Sequence, residues 1–438
     1  MPDRPELLRN WARSKSFAPS TIERPASLDE LRAAIGRAAA AGAKVKVFGA
    51  GHSWSDAHRT DGHAIVLDRL RGVAVDAAAR RATAQGGARV YEVNRALTDA
   101  GLALENLGSI SEQTLAGAVS TGTHGSGVRF GIMATQVVAL TLVTADGAAH
   151  DLRAEGDSGL FAAAAVGFGA LGVIAGLTVA TEPAFDLAER TTVLPFDEAF
   201  GAGTLEAVAR NDHAQFFWLP HTDEALLFER NRVATAPSRP SPPGPPAVRR
   251  GENVAFGALL ALGDALPGAI PTLNRLARAA VYKAGARVHR SDLVLNNPLP
   301  PRYVESEYAI PIERTAEAMR ALRALVEREG LRLNFPIGVR FTRGDDLWMS
   351  PAYGRASCFI GLMQAGSGPR VERAFAAFEA LMKGLGGRAH WGKIFHATPA
   401  ELRAMYPETY DRFAALLART DPTGLFRTPF IERHFPSP

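Results

Sequence analysis

The chain has 438 residues, more than one hydrophobic core usually supports, so two or three domains are expected. Apolar residues make up 47% and charged residues 21%, a balance that excludes a mostly disordered chain. Lys and Arg number 49 against 45 Asp and Glu, and the resulting net charge of +4 is too dilute over this length for a nucleic-acid footprint.

Residues 1–6 are charged and lack the apolar run of a secretory signal, so a cytoplasmic location is expected. Ser27-Leu28-Asp29-Glu30 has the form of a capping box, and Leu28, Leu31 and Ile35 repeat at helical spacing until Gly42. Residues 44–48 alternate polar and apolar like a strand and run into the turn Gly49-Ala50-Gly51. Short paired strands are predicted at 73–75 and 82–84, a helix at 90–97, and buried strands at 137–143 and 173–179. This alternation marks a mixed α/β domain ending near Pro183.

Beyond Pro183, two apolar runs at 215–219 and 225–228 flank Pro220-His221-Thr222-Asp223 and predict a hairpin. Residues 234–250 carry six prolines and predict an exposed loop. The apolar stretch 254–266 contains Asp264 and is too short to span a bilayer, so a buried helix is expected. Helices at 313–329 and 370–383, with strands at 303–310, 335–342 and 357–363, predict an α+β second domain. The one cysteine, Cys358, excludes an internal disulfide and a cysteine-cluster metal site.

Three glycine-rich segments carry candidate chemistry. At 48–56, two glycines directly after a strand let the backbone approach a ligand and aim N–H groups at an anion; an ordinary strand-loop turn fits the spacing equally. At 115–127, small residues, hydroxyls and His124 suit a flat ligand lying on the main chain, or a small-residue packing turn. The third, Gly167-Phe168-Gly169-Ala170-Leu171-Gly172, matches G-x-G-x-x-G, but helical sequence precedes it and a strand follows, the reverse of a dinucleotide turn. Gly51-His52-Ser53-Trp54-Ser55 fails as a hydrolase nucleophile elbow at Ser55. His52, His58 and His63 fit no ligand spacing and are expected as solvated loop histidines. Arg340, on a strand face, has two readings: binding a substrate oxygen, or an ion pair with Asp345 or Asp346. Residues 388–393 gather three potential cations and, alone, predict a solvated turn.

Together, residues 47–56, 106–127, 131–140, 217–223, 335–351, 390–393 and 421–426 resemble the aldonolactone oxidases, flavoproteins of the vanillyl-alcohol-oxidase superfamily. The resemblance implies an α+β fold: a PCMH-type two-subdomain FAD-binding domain over 1–183, a substrate cap with an antiparallel sheet over 184–388, and a segment over 389–438 returning to the FAD domain. It implies that Val47, Phe48, Gly49, Ala50, Gly51, His52 and Ser53 hold the FAD pyrophosphate. Ser109, Thr114, Gly117, Thr121, Gly122, Thr123 and His124 would line the flavin, with Ile174 nearby and His390 on the flavin side. His52 matches the family histidine that bonds covalently to the flavin's ring methyl. Arg340 and Lys393 match catalytic positions and, with Ser109, the substrate site; both are cations suited to an oxygen acquiring negative charge.

The implied activity is oxidation of aldono-1,4-lactones, of the L-gulono-1,4-lactone type, with O2 as acceptor and hydrogen peroxide as product. Alditol oxidation, a lactone dehydrogenase with another acceptor, and a flavin- or sugar-binding protein without turnover are the competing expectations. Gly108 leaves open the route to reduced flavin that an alanine narrows in related dehydrogenases; the other reading is a glycine that permits a tight turn. Gly338 departs from the family pattern, which has glutamate two residues before the arginine, so substrate placement falls to other groups or the substrate differs.

Overall fold

The computed structural model describes residues 6–156, 159–233, 250–296 and 302–437. The first element with a large apolar face is the helix Leu28–Ala40, which buries Leu31, Ala34, Ile35 and Ala38. Ser27 Oγ accepts from Glu30 N at 3.1 Å, while the Glu30 carboxylate reaches back one residue further than a capping box requires, to Ala26 N at 2.8 Å. Beside this helix lies a three-stranded parallel sheet in the order Thr21–Glu23, His63–Ile65, Val45–Val47.

A five-stranded antiparallel sheet follows, ordered Ala149–Arg153, Val137–Val143, Val173–Ala180, Arg81–Gln85, Val73–Asp76. The strands expected at 73–75, 82–84, 137–143 and 173–179 all lie in it. The G-x-G-x-x-G segment sits between the helix Leu160–Ala165 and the strand Val173–Ala180, so it is a helix-to-strand connection.

The largest layer is an eight-stranded antiparallel sheet ordered Gly285–Arg290, Asp186–Pro195, Glu224–Val233, His213–Trp218, Ile337–Thr342, Ser357–Gln364, Val304–Pro311, Arg388–Ala389. The helices Thr315–Arg328 and Pro369–Gly384 pack on each other, and the second packs on the strands Ser357–Gln364 and Val304–Pro311. The apolar stretch expected as a buried helix belongs to the helix Arg250–Ala265, and it is amphipathic: Phe256 and Leu260 are buried whereas Leu262 is 45% exposed. The proline-rich loop expected at 234–250 falls, up to residue 249, outside the described residues. No helix among the described residues is long and apolar enough to cross a membrane.

The chain's last segment packs on the first layer. Val45 N donates to Leu425 O at 2.8 Å, and Leu425 and Phe426 share a core with Leu31, Ile35 and Val45. The large sheet is stitched to the glycine turns from the other side: Gly127 N donates to Phe341 O at 2.7 Å, Trp54 N to Gly392 O at 2.7 Å, and Trp54 Nε1 to Tyr303 O at 2.7 Å. These bonds fix one face of the sheet over the turns.

Candidate active site

The strand Val45–Val47 delivers the chain into the turn at 48–53. Gly51 is in the left-handed region (φ +70), and a Cβ there would stand 3.0 Å from Phe48 Cζ and 3.2 Å from Arg9 O. Gly49 lies so close to Thr114 that a Cβ would meet Oγ1 at 2.7 Å. Among the described residues, the main-chain N–H groups of Gly49, Ala50, Gly51, His52 and Ser53 find no protein acceptor. A run of free amides is an anion cradle. It borders a cavity of about 330 Å³, lined by the whole 47–53 segment with Thr114, Gly117, Thr121 and Ile174.

A second cavity, of about 70 Å³, opens between the turns and the sheet and shares His52, Ser53, Gln113 and Thr121 with the first. It collects Gly108, Ser109, Thr123, His124, Arg340, His390 and Lys393. Of the residues that the resemblance assigns to cofactor or substrate, Gly122 alone lines neither of these two cavities: its φ is +76 and a Cβ would face Pro351 Cδ at 3.1 Å. It shapes the turn rather than the wall.

Arg340 points from the strand Ile337–Thr342 into this second cavity and donates through Nη2 to Ser109 Oγ at 2.6 Å. It does not pair with Asp345, whose carboxylate instead accepts from Ser350 Oγ at 2.7 Å and Leu347 N at 3.1 Å. The expectation of a solvated turn at 388–393 is overturned. Arg388–Ala389 forms the edge strand beside Val304–Pro311, and His390 and Trp391 are buried. His58 and His63 are buried too, contrary to expectation, in a 3-10 turn and in the central parallel strand.

Burial, with Arg89 nearby, lowers the His52 imidazole to about 4, so it is neutral at pH 7, and its buried Nδ1 has no partner among the described residues. Its ring stacks on Trp11 at 5.8 Å. Burial lowers Lys46 to about 7; its ammonium donates to Phe168 O at 2.6 Å on the cavity wall. His390 is pushed down to about 3 by burial.

Sequence reasoning missed Glu305 and Glu307, which both line the second cavity and are buried. Lys393 Nζ pairs with Glu305 Oε2 and lies 3.6 Å from Glu307 Oε2, while His124 Nε2 sits 3.3 Å from Glu307 Oε1. The signal was present as two glutamates two apart in a predicted strand, hence on one face. Phe168, Gly169 and Gly172, set aside as a dinucleotide turn, line the first cavity by another route.

These features suit FAD. The free amides fit a pyrophosphate, and the unpartnered neutral imidazole lies where the two cavities meet. The chain matches the FAD binding domain family over residues 19–153 and the D-arabinono-1,4-lactone oxidase family over residues 177–434. It is 38% identical to an L-gulono-1,4-lactone dehydrogenase of Mycobacterium tuberculosis, over 97% of this chain and 98% of that protein. It is 32% identical to an L-gulonolactone oxidase of Bos taurus (98% of each) and 32% to an alditol oxidase of a Streptomyces species (96% and 97%). A solved cholesterol oxidase from Brevibacterium sterolicum superposes with a TM-score of 0.82 at 16% identity, covering 99% of each chain, a likeness of fold alone. Fold and site thus define an FAD-linked oxidoreductase acting on CH–OH groups, with an α+β architecture and a PCMH-type FAD domain. Within that class, the chain belongs to the aldonolactone oxidase family.

Proposed function

We propose that this protein oxidises a secondary alcohol of an aldono-1,4-lactone, of the L-gulono-1,4-lactone type, using FAD linked covalently through His52 and dioxygen as acceptor. The observation that carries the reading is the pair of cations, Arg340 and Lys393, lining a small cavity that opens onto His52. FAD, held by the amides at 49–53, would supply the hydride acceptor and the two-electron link to dioxygen. The chain's own groups do the rest. Ser109 Oγ, oriented by Arg340, offers a hydrogen bond to a substrate hydroxyl. Arg340 and Lys393 stabilise negative charge growing on the alcohol oxygen, in a site where desolvation strengthens their pull. His52, neutral and unpaired through Nδ1, is chemically able to attack an electrophilic carbon, whereas a protonated imidazole is not.

Steady-state assays on lactones and alditols, with peroxide followed in parallel, test the reading. Turnover of lactones over alditols with stoichiometric peroxide is expected; absence of turnover on both classes would reject it. A second reading, a dehydrogenase with a dye or cytochrome acceptor, draws on the name of the Mycobacterium relative. It requires the reduced protein to persist in air for minutes.

A further inference from the structure

The row of residues across the sheet sets two carboxylates on the face that Gly338 shares. Phe217 pairs with Gly338, Gly338 with Gly361, and Gly361 with Glu307, while Met363, two residues along, pairs with Glu305. Because side chains alternate along a strand, Glu305 and Glu307 emerge on the same face as Gly361, Gly338 and Arg340. The two glycines make that face roomy. A Cβ on Gly361 would stand 2.8 Å from Glu305 Oε1 and 3.3 Å from Glu307 Oε1. A Cβ on Gly338 would meet nothing closer than Phe217 Cε1 at 3.5 Å, so the room beside it stays open to the cavity that Glu305 lines.

The two carboxylates are not equivalent. Glu307 is held between His124 and Lys393, and although burial opposes ionisation, the Lys393 ammonium and the contact with His124 keep its carboxyl well below the usual range. Glu305 has Lys393 as its one ion-pair partner among the described residues. We propose that Glu305 accepts the hydroxyl proton of the substrate, taking over from two strands away the place left by Gly338, with Glu307 as a positioning residue that anchors Lys393 and His124. The inference rests on the oxidation of a CH–OH substrate proposed above. The alcohol O–H bond breaks with its proton going to a Glu305 carboxylate oxygen. The hydrogen on carbon leaves with its electron pair as hydride to the bound cofactor, and the C–O bond becomes a carbonyl. The groups that face Glu305 are Lys393 and His390 on one segment, Arg340 on the next strand but one, His124 across the cleft, Glu307 on its own strand and Tyr303 just before that strand. Burial raises the Glu305 carboxyl above its ordinary range despite the pull of Lys393, which makes it a stronger base once ionised.

The test compares the parent with Glu305→Gln, Glu305→Asp and the double variant Glu305→Gln/Gly338→Glu, all FAD-loaded. Each is measured for anaerobic flavin reduction against pH and for calorimetric affinity toward the same substrate. The substrate is a lactone or, where a lactone fails and an alditol reduces the parent, that alditol; such a switch counts against the lactone assignment and not against Glu305. Glu305→Gln is expected to slow reduction about 100-fold or more with affinity within about fivefold, and to lose the acidic limb of the rate profile. Gly338→Glu in that background is expected to restore about tenfold. If Glu305→Gln does not hold FAD, Glu305→Asp carries the test, with a slowed rate and a shifted limb expected. A loaded Glu305→Gln, or in its place Glu305→Asp, with rate and profile unchanged overturns the proposal. A parent reduced by neither substrate class overturns both it and the reading beneath it.

Discussion

The chemistry of His52 is set by what surrounds it. A histidine in water is partly protonated near neutrality, whereas this one is lowered to about 4 by burial and has no partner at Nδ1 among the described residues. With His52→Ala, the denatured protein is expected to lose its flavin fluorescence on a gel, while the folded variant still takes up FAD on the amides at 49–53. Turnover should fall on the order of tenfold, about 1.4 kcal/mol in the barrier, as the electron-withdrawing link is lost. Fluorescence that survives this substitution would count against the link. Gly108 poses a matching question about the acceptor. A Cβ there would lie 2.9 Å from Thr123 Cγ2 and 3.5 Å from His124 O, both in the wall of the second cavity. Gly108→Ala is expected to lower the rate of reoxidation by dioxygen by about tenfold or more in stopped flow, leaving the reductive half-reaction near the parent's. Equal reoxidation rates would reduce Gly108 to a turn residue. Arg340→Ala deprives Ser109 of its donor as well as the substrate oxygen of a cation, and kcat should drop by about 100-fold or more.

At the level of elements, hydropathy alternation located the strands but could not say which face would be covered. Val304–Pro311 was legible as a strand, yet nothing in its own residues told that Glu305 and Glu307 would be buried. Their cation, Lys393, comes from a segment 88 residues further along the chain than Glu305. The segment 388–393, taken alone, predicts a solvated turn for the same reason, although the resemblance places His390 and Lys393 at the site. A short charged run looks solvated until the neighbouring strand is known, and here Arg388 and Ala389 take the sheet's last edge. The glycine turns were more legible, since close approach and positive φ demand glycine locally whatever packs above. Gly361 belongs to the illegible class, a glycine inside a strand whose reason is the side chain on the neighbouring strand. Gly361→Ala is expected to leave the sheet's register intact and to cut kcat by about tenfold or more by displacing Glu305, with FAD content unchanged. An unaltered kcat would mean that the carboxylate can move aside without consequence.

At the scale of the whole molecule, histidines buried on the large sheet and on the FAD side give the fold a pH dependence of its own. His213, fully buried on the strand His213–Trp218, stacks on Phe130 at 4.6 Å, and its Nδ1 lies 2.8 Å from Ser126 O, in the loop beside the site. Burial, reinforced by Arg230 and Arg232 against the Ser126 O hydrogen bond and Asp212, lowers it to about 4; burial likewise takes His58, on the FAD side, to about 4. Both rings titrate near 6.5 in an unfolded chain. Between those values the unfolded chain binds more protons than the native one, so stability falls as pH falls. The loss starts near pH 6.5 and levels off below pH 4, with a slope of about 1.4 kcal/mol per pH unit for each such histidine. Most carboxylates change charge below this window, but burial pushes Asp345 up to about 6 and raises Glu305, and these act in the opposite sense, so the share of one histidine is read from the difference between parent and variant. The urea-unfolding free energy of the FAD-loaded protein is therefore expected to decline through that interval. In His213→Asn, whose amide can still donate to Ser126 O but does not titrate, the slope should flatten by about one proton. A variant slope equal to the parent's would mean that His213 takes up its proton without leaving the fold.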